Sequence, residues 1–223
     1  MSGPLLDLSL TSAFVDGSGK MVTSNRGSLL GTCQCGDGVT PATFPSLLVG
    51  GRRGMSFNTG DTQYLRHATF PALGNQGTLY ALVYLSPLTI SQAATHVVIE
   101  QAATPAGYAS GCMLDQEGAL YFLYWGGGAR VINAGAVLTP GIHCLVGTND
   151  GSLCRLYLDG VLVGTPAAAP GPSTATGLYI GGDSAFSSLH NSNVFAARVF
   201  PYALTPTQIR ALGDRDRAML NLF

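Results

Sequence analysis

The sequence predicts an all-β protein, a two-sheet antiparallel jelly-roll sandwich finished by one short helix near the C-terminus, and three observations carry that reading. The first is the stretch His143 to Thr165, where Asn149-Asp150-Gly151-Ser152 and Asp159-Gly160 each separate runs of β-branched, aromatic and aliphatic residues. Two successive hairpins, and so a three-strand meander, are written in this way. The second is punctuation: 30 glycines and 12 prolines among 223 residues place a turn signal roughly every 8 to 12 residues, the spacing of short strands in a sandwich. The third is Thr205-Pro206-Thr207-Gln208, with threonine as N-cap, proline at the first helical position and glutamine three residues after the cap. That helix runs through about Leu212, and the tail from Asp214 to Phe223 is placed to extend it after Gly213.

Taken in order, the strands begin in residues 1 to 60, where short apolar runs (Leu5 to Phe14, Met21 to Leu30) alternate with turns, and the loop Gly31 to Pro45 carries Cys33 and Cys35. Leu47 to Gly60 ends in a strand whose Met55 and Phe57 alternate with polar neighbours, the mark of one wet face. Tyr64 to Phe70 and Thr78 to Leu85 follow, the second apolar enough for the middle of a sheet and stopped by Pro87. Next come His96 to Gln101, Ser110 to Leu114, and Ala119 to Trp125, in which Tyr121, Leu123 and Trp125 project one way and Phe122 and Tyr124 the other. Ala129 to Asn133, the meander, Gly177 to Asp183 and Val194 to Phe200 complete about a dozen strands in a single domain spanning 1–223. Between Thr165 and Thr176 lies a Pro/Ala/Gly loop too short to separate domains. No repeat of fixed period is visible, which argues against a propeller or solenoid.

Composition narrows the function classes. Only 10% of residues are charged, the net charge is -1 and Lys20 is the single lysine, so there is no electrostatic footprint for a phosphate backbone and nucleic acid is not an expected partner. No apolar run approaches the roughly 18 residues of a membrane span, so no membrane insertion is expected. A surface this poor in charge calls for neighbouring subunits, and we expect an oligomer or assembly. The N-terminus M-S-G-P-L-L-D-L-S-L lacks a basic region followed by a long apolar stretch, so no Sec signal is expected.

Candidate chemistry is sparse. Five cysteines is an odd number, and a tight hairpin centred on Asp150-Gly151 puts Cys144 opposite Tyr157 and turns Cys154 to the other face, so these two are not expected to be bridged. Cys33 and Cys35 have no second Cys or His pair nearby and read as free loop thiols. The histidines His67, His96, His143 and His190 sit at no ligand spacing, and His143, in an apolar strand, reads as a satisfied core histidine. Arg52-Arg53 reads as a solvated turn. Of the acids, Asp115 with Glu117 is the nearest to a pair, but Gln116-Glu117-Gly118 reads as a hairpin turn that puts at least one of them in water. Asp214 and Asp216 read as a helix surface. No nucleophile elbow, Walker or dinucleotide motif is present, and no enzyme is expected.

Several blocks resemble a known family. Gly51-Arg52-Arg53-Gly54-Met55-Ser56-Phe57 with Gly60-Asp61 and Tyr64-Leu65, then Leu138 to Thr148 with Asp150-Gly151 and Leu156-Tyr157-Leu158-Asp159-Gly160-Val161, and finally Leu178 to Gly182 with Phe195 to Thr205, Ile209 and Leu212, are similar to concanavalin A-like, laminin-G-like jelly-roll domains, most strongly over 47–212. Ile142-His143-Cys144 departs from the family, which usually has a tryptophan at this point.

The resemblance implies two curved sheets of six or seven strands, sugar or protein binding at rim loops, and calcium in some members. Trp125, beside three glycines, is the candidate sugar platform, with Tyr124 and Tyr108 assisting; the competing reading has Trp125 and Tyr121 filling the space between the sheets. Asp183, Asn191 and Asn193 form the candidate calcium loop, with Asn149 to Ser152 as a second oxygen-rich loop; no other cofactor is expected. The fold alone does not choose a function.

The expected function is that of a non-enzymatic virion structural or attachment protein, a bacteriophage capsid-surface, head-fibre or tail component. Its expected partners are other virion or oligomer subunits and host cell-surface glycans. It is expected to be assembled into the virion in the host cytoplasm; a cytoplasmic protein, or one exported without a Sec signal, is the other placement. A cellular lectin or carbohydrate-binding module is the alternative function, and a glycoside hydrolase a distant third.

Overall fold

The computed structural model describes residues 3–9, 14–15, 21–29, 32–35, 46–49, 52–57, 63–67, 69–91, 95–102, 112–117, 120–126, 130–133, 138–182 and 193–220. Its early strands are β1 (Leu6–Ser9), β2 (Phe14–Val15), β3 (Met21–Ser24), β4 (Thr32–Cys35), β5 (Ser46–Val49), β6 (Arg52–Ser56) and β7 (Leu65–His67). The middle of the chain supplies β8 (Gln76–Leu85), helix α1 (Pro87–Ser91), β9 (Thr95–Gln101), β10 (Cys112–Glu117), β11 (Leu120–Trp125) and β12 (Arg130–Asn133). The last part holds β13 (Gly141–Asp150), β14 (Leu153–Leu158), β15 (Val161–Ala168), β16 (Leu178–Ile180), β17 (Asn193–Phe200) and α2 (Pro206–Leu220).

These form an antiparallel two-sheet sandwich. One sheet has eight strands in the order β15-β14-β13-β8-β17-β6-β5, with β1 on the edge of β17; the other has nine, β12-β11-β10-β9-β16-β7-β4-β3-β2. The strand count exceeds the expected dozen because β1 to β5 are short pieces that the apolar runs of residues 1 to 60 do not separate. The core lies between the sheets. Alternate residues of β8 (Leu79, Ala81, Val83, Leu85) meet Leu114, Tyr121, Leu123 and Trp125 from β10 and β11, as a period of two requires.

The meander is present as expected, with one shift. Asp159 and Gly160 both have positive φ, 53° and 79°, the backbone of a two-residue hairpin turn matched to strand twist. In the first hairpin Asn149 pairs with Cys154 and Leu145 with Leu158, so Cys144 faces Asp159, whose N–H it accepts at 2.9 Å, and not Tyr157. The cause is the Asp150 carboxylate, which accepts from Ser152 N and Leu153 N and moves the turn centre one residue along. The two cysteines keep opposite faces, Cys154 in the inter-sheet core and Cys144 outside it, and both are free. Cys33 is likewise free and buried, though on a strand and not in a loop. β15 runs on to Ala168, into the expected loop, because Pro166 sits on an edge strand whose outer N–H groups have no ladder to complete.

Helix α2 starts as written: Gln208 N donates to Thr205 Oγ1 at 3.3 Å and Thr205 N to Gln208 Oε1 at 2.8 Å. It continues through Gly213 without a break, and a Cβ at Gly213 would lie 3.4 Å from Cys144 Sγ, so the glycine sets the helix close on β13. Beneath α2 the outer face of the eight-stranded sheet carries a second apolar cluster, including Tyr80, Leu82, Val146, Tyr157 and Ile209. Asp216, expected on the helix surface, is buried there. It accepts from Tyr80 Oη at 2.7 Å and from Arg198, whose Nε is 2.6 Å from Asp7. The arginine on β17 explains the inversion, since a buried carboxylate needs a paired charge.

A candidate ligand-binding face on the nine-stranded sheet

Trp125 is a core residue and does not form a surface platform. Its side chain has no exposure, its indole N–H donates to Gly74 O at 3.2 Å, and a Cβ on Gly77 would stand 2.9 Å from its ring. The neighbouring glycines thus let backbone close over the ring instead of opening a path to it. Gly126, with φ 33° and no room for a Cβ beside Gly171, does the same at the strand end. The competing reading, Trp125 with Tyr121 between the sheets, is the arrangement found. Tyr108, Asp183 and Asn191 lie outside the described residues. Asn193 is a ladder residue of β17, paired with Tyr84 and Ser56, and not part of a loop. In the second oxygen-rich loop the acceptors are already engaged: Asn149 Oδ1 by Gly151 N, and the Asp150 carboxylate by two backbone N–H groups and Arg155. Arg155 and those N–H groups hold the Asp150 carboxyl down at about 2.

Tyr124 leads to a different surface. It alternates with Leu123 and Trp125, so it points away from the core, and the ladder assembles a row around it. Arg66 on β7 pairs with Tyr179 on β16, Tyr179 with Glu100 on β9, Glu100 with Met113 on β10, and Met113 with Tyr124 on β11. The next row brings Asp115 beside Val97, with Glu117 one alternation further along β10. Arg66 lies 5.8 Å from the centroid of the Tyr179 ring, and Tyr64 places a second ring 6.1 Å from Tyr179, tilted by 46°. Burial raises the Tyr179 phenol above its ordinary value, Arg66 opposing and Glu100 adding to the rise.

Tyr179, Glu100 and Asp115 are buried, Tyr124 nearly so, and Arg66 and Glu117 are half-buried. Asp115 therefore departs from the expected solvated turn: β10 carries it in mid-strand, opposite Phe122, while Glu117 pairs with Leu120 at the hairpin end. The face gathers buried aromatic rings and carboxylates around Arg66 and Glu117, and these two half-buried side chains have the guanidinium and carboxylate that can hydrogen-bond sugar hydroxyls. From sequence, only Tyr124 and the alternation of Asp115 with Glu117 pointed here. Arg66, Glu100 and Tyr179 sit on three separate strands and meet only through register.

A family model described as the concanavalin A-like lectin/glucanases superfamily matches residues 58–210. No curated protein matches. Among solved structures, the botulinum neurotoxin serotype D binding domain matches with 12% identity and a TM-score of 0.60 over 95% of this chain and 50% of that one. The botulinum neurotoxin DC binding domain in complex with SialylT matches with 8% identity and a TM-score of 0.62 over 96% of this chain and 51% of that one. Trypanosoma rangeli sialidase matches with 12% identity and a TM-score of 0.55 over 93% of this chain and 32% of that one. The chain thus spans about half or less of the length of these structures, and at such identities the likeness is one of fold.

Proposed function

The chain belongs to the concanavalin A-like lectin/glucanases superfamily, and from that premise we propose that it is a non-enzymatic glycan-binding domain that uses the outer face of its nine-stranded sheet. The observation that supports this reading is the row Arg66-Tyr179-Glu100, which sets a guanidinium and a carboxylate on either side of an aromatic ring. Arg66 and Glu117, the half-buried members of the face, are its points of contact with ligand. The SialylT complex of the botulinum neurotoxin DC binding domain belongs to that protein, and it supports ligand recognition as a use to which this fold is put.

The finer reading places the domain in a virion, as a bacteriophage capsid-surface, head-fibre or tail component assembled in the host cytoplasm and touching host glycans. It is supported by a surface with 10% charged residues and one lysine, and by exposed Val161 and Leu162 on the edge strand β15. Solvent-exposed edges and apolar side chains of this kind are commonly covered by neighbours.

A glycan array probed with the purified chain and with Arg66→Ala tests the first reading. We expect retention of a defined glycan set by the parent chain and its loss in the variant, with unchanged circular dichroism. Failure of the parent chain to retain any glycan sinks the proposal, and hydrolysis of an arrayed glycan that stops in Asp115→Asn replaces it with the hydrolase reading. Sedimentation separates the finer alternatives, since a glycan-binding monomer is a lectin module and not a particle subunit.

A further inference from the structure

The geometry points to a proton-operated clasp in which the His143 imidazolium fastens the β14–β15 turn, and with it α2, to the start of β13. His143 Nδ1 lies 2.9 Å from Asp159 Oδ2 and Nε2 lies 2.8 Å from Thr139 O. A carboxylate and a carbonyl oxygen both accept only, whereas a neutral imidazole carries one N–H. The cation alone satisfies both partners.

Asp159 is the keystone. Its other oxygen accepts from Cys144 N at 2.8 Å and from Arg217 of α2, so one carboxylate ties β13, the turn and the helix. The groups around His143 come from each packed element. Asp159 faces it from the turn and Arg217 from α2, the latter acting against its charge, while β8 contributes only the apolar Val83 opposite its backbone. Beyond them, Arg210 of α2 packs on Gly160, the Cys144 thiol lies on the other face of β13, and Tyr121 feels Asp159 from β11 but stays protonated because burial raises its phenol.

The hydrogen bond to Asp159 raises His143 above its ordinary value, and His143 in turn helps lower Asp159 against its burial. A raised histidine contributes stability that is fully present below its unfolded value and is lost as pH rises through its folded value. The clasp is therefore complete below the ordinary histidine value and loosens as pH rises through the raised His143 titration; a separate acid loss sets in as pH falls through the lowered Asp159 value.

An NMR titration of the His143 ring, run with amide exchange of α2 corrected for intrinsic rates, tests the clasp. His143 is expected to titrate above an unfolded-chain histidine, and α2 protection to fall severalfold across that titration. Asp159→Asn, which tolerates the positive φ of the turn, is expected to remove both the raised value and the step in protection. A His143 that titrates at or below the ordinary value, or α2 protection that is equal on both sides of its titration, overturns the clasp. A step that persists unchanged in Asp159→Asn overturns it as well, and this variant keeps the test decisive if His143→Gln fails to fold.

Discussion

On the outer face of the eight-stranded sheet, Tyr80, Leu82, Val146 and Tyr157 lie under α2, while on the outer face of the nine-stranded sheet the outward positions hold Arg66, Glu100, Asp115 and Tyr179. Both faces bury charge, but they resolve it differently. Under the helix, Arg198 has Asp216 and Asp7 as direct partners, so the ion cluster closes on itself and locks α2 in place. On the other sheet Arg66 leans on the Tyr179 ring. Fully partnered polar groups hold a fold together. The contrast separates a face held by ion pairs from the one on which we propose that ligand binds.

Substitutions can break or sharpen that contrast. The largest loss is expected from Asp216→Ala, which leaves Arg198 buried with only Asp7 and should cost about 3–5 kcal/mol in denaturant unfolding; a cost under ~1 kcal/mol would show that the helix-covered face is not held by its ion cluster. Trp125→Ala, which touches neither face, should cost a similar ~3–5 kcal/mol as a cavity in the core, so loss of glycan retention in that variant would reflect unfolding. Thr205→Ala at the start of α2 should lower stability by about 1 kcal/mol through the missing cap. The smallest change in stability, within ~0.5 kcal/mol, is expected from Arg66→Ala, the variant that should lose ligand. A stability cost for Arg66→Ala as large as that of Asp216→Ala would erase the distinction between the faces.

Local signals read well from sequence wherever the cause was local. The capping box at Thr205, the turn at Asp159-Gly160 and the alternation of Tyr121, Leu123 and Trp125 each depend on residues within a few positions, and each is present. Errors arose where the deciding partner was remote. Asp216 looked solvent-facing because Arg198 and Tyr80, its neighbours in space, are 18 and 136 residues away in the chain. For Trp125 the local glycines fit either a platform or a core ring, and backbone remote in sequence, from Gly77 and the loop around Gly171, makes it a core ring. The exception is Cys144, which faces Asp159 and not Tyr157 for a local reason, the Asp150 carboxylate that shifts the turn. The candidate face was the least legible feature, since Arg66, Glu100, Asp115 and Tyr179 come from four strands of one sheet and only the ladder brings them into line.

Gly213 gives the molecule a clock. Because no side chain stands between the helix and β13, Cys144 Sγ lies directly beneath α2, and burial pushes its thiol up to about 12. A thiol so placed reacts with an alkylating reagent only while the helix is lifted. At fixed pH and excess reagent its modification rate therefore counts openings, reporting the breathing of a single helix without any label having to be introduced.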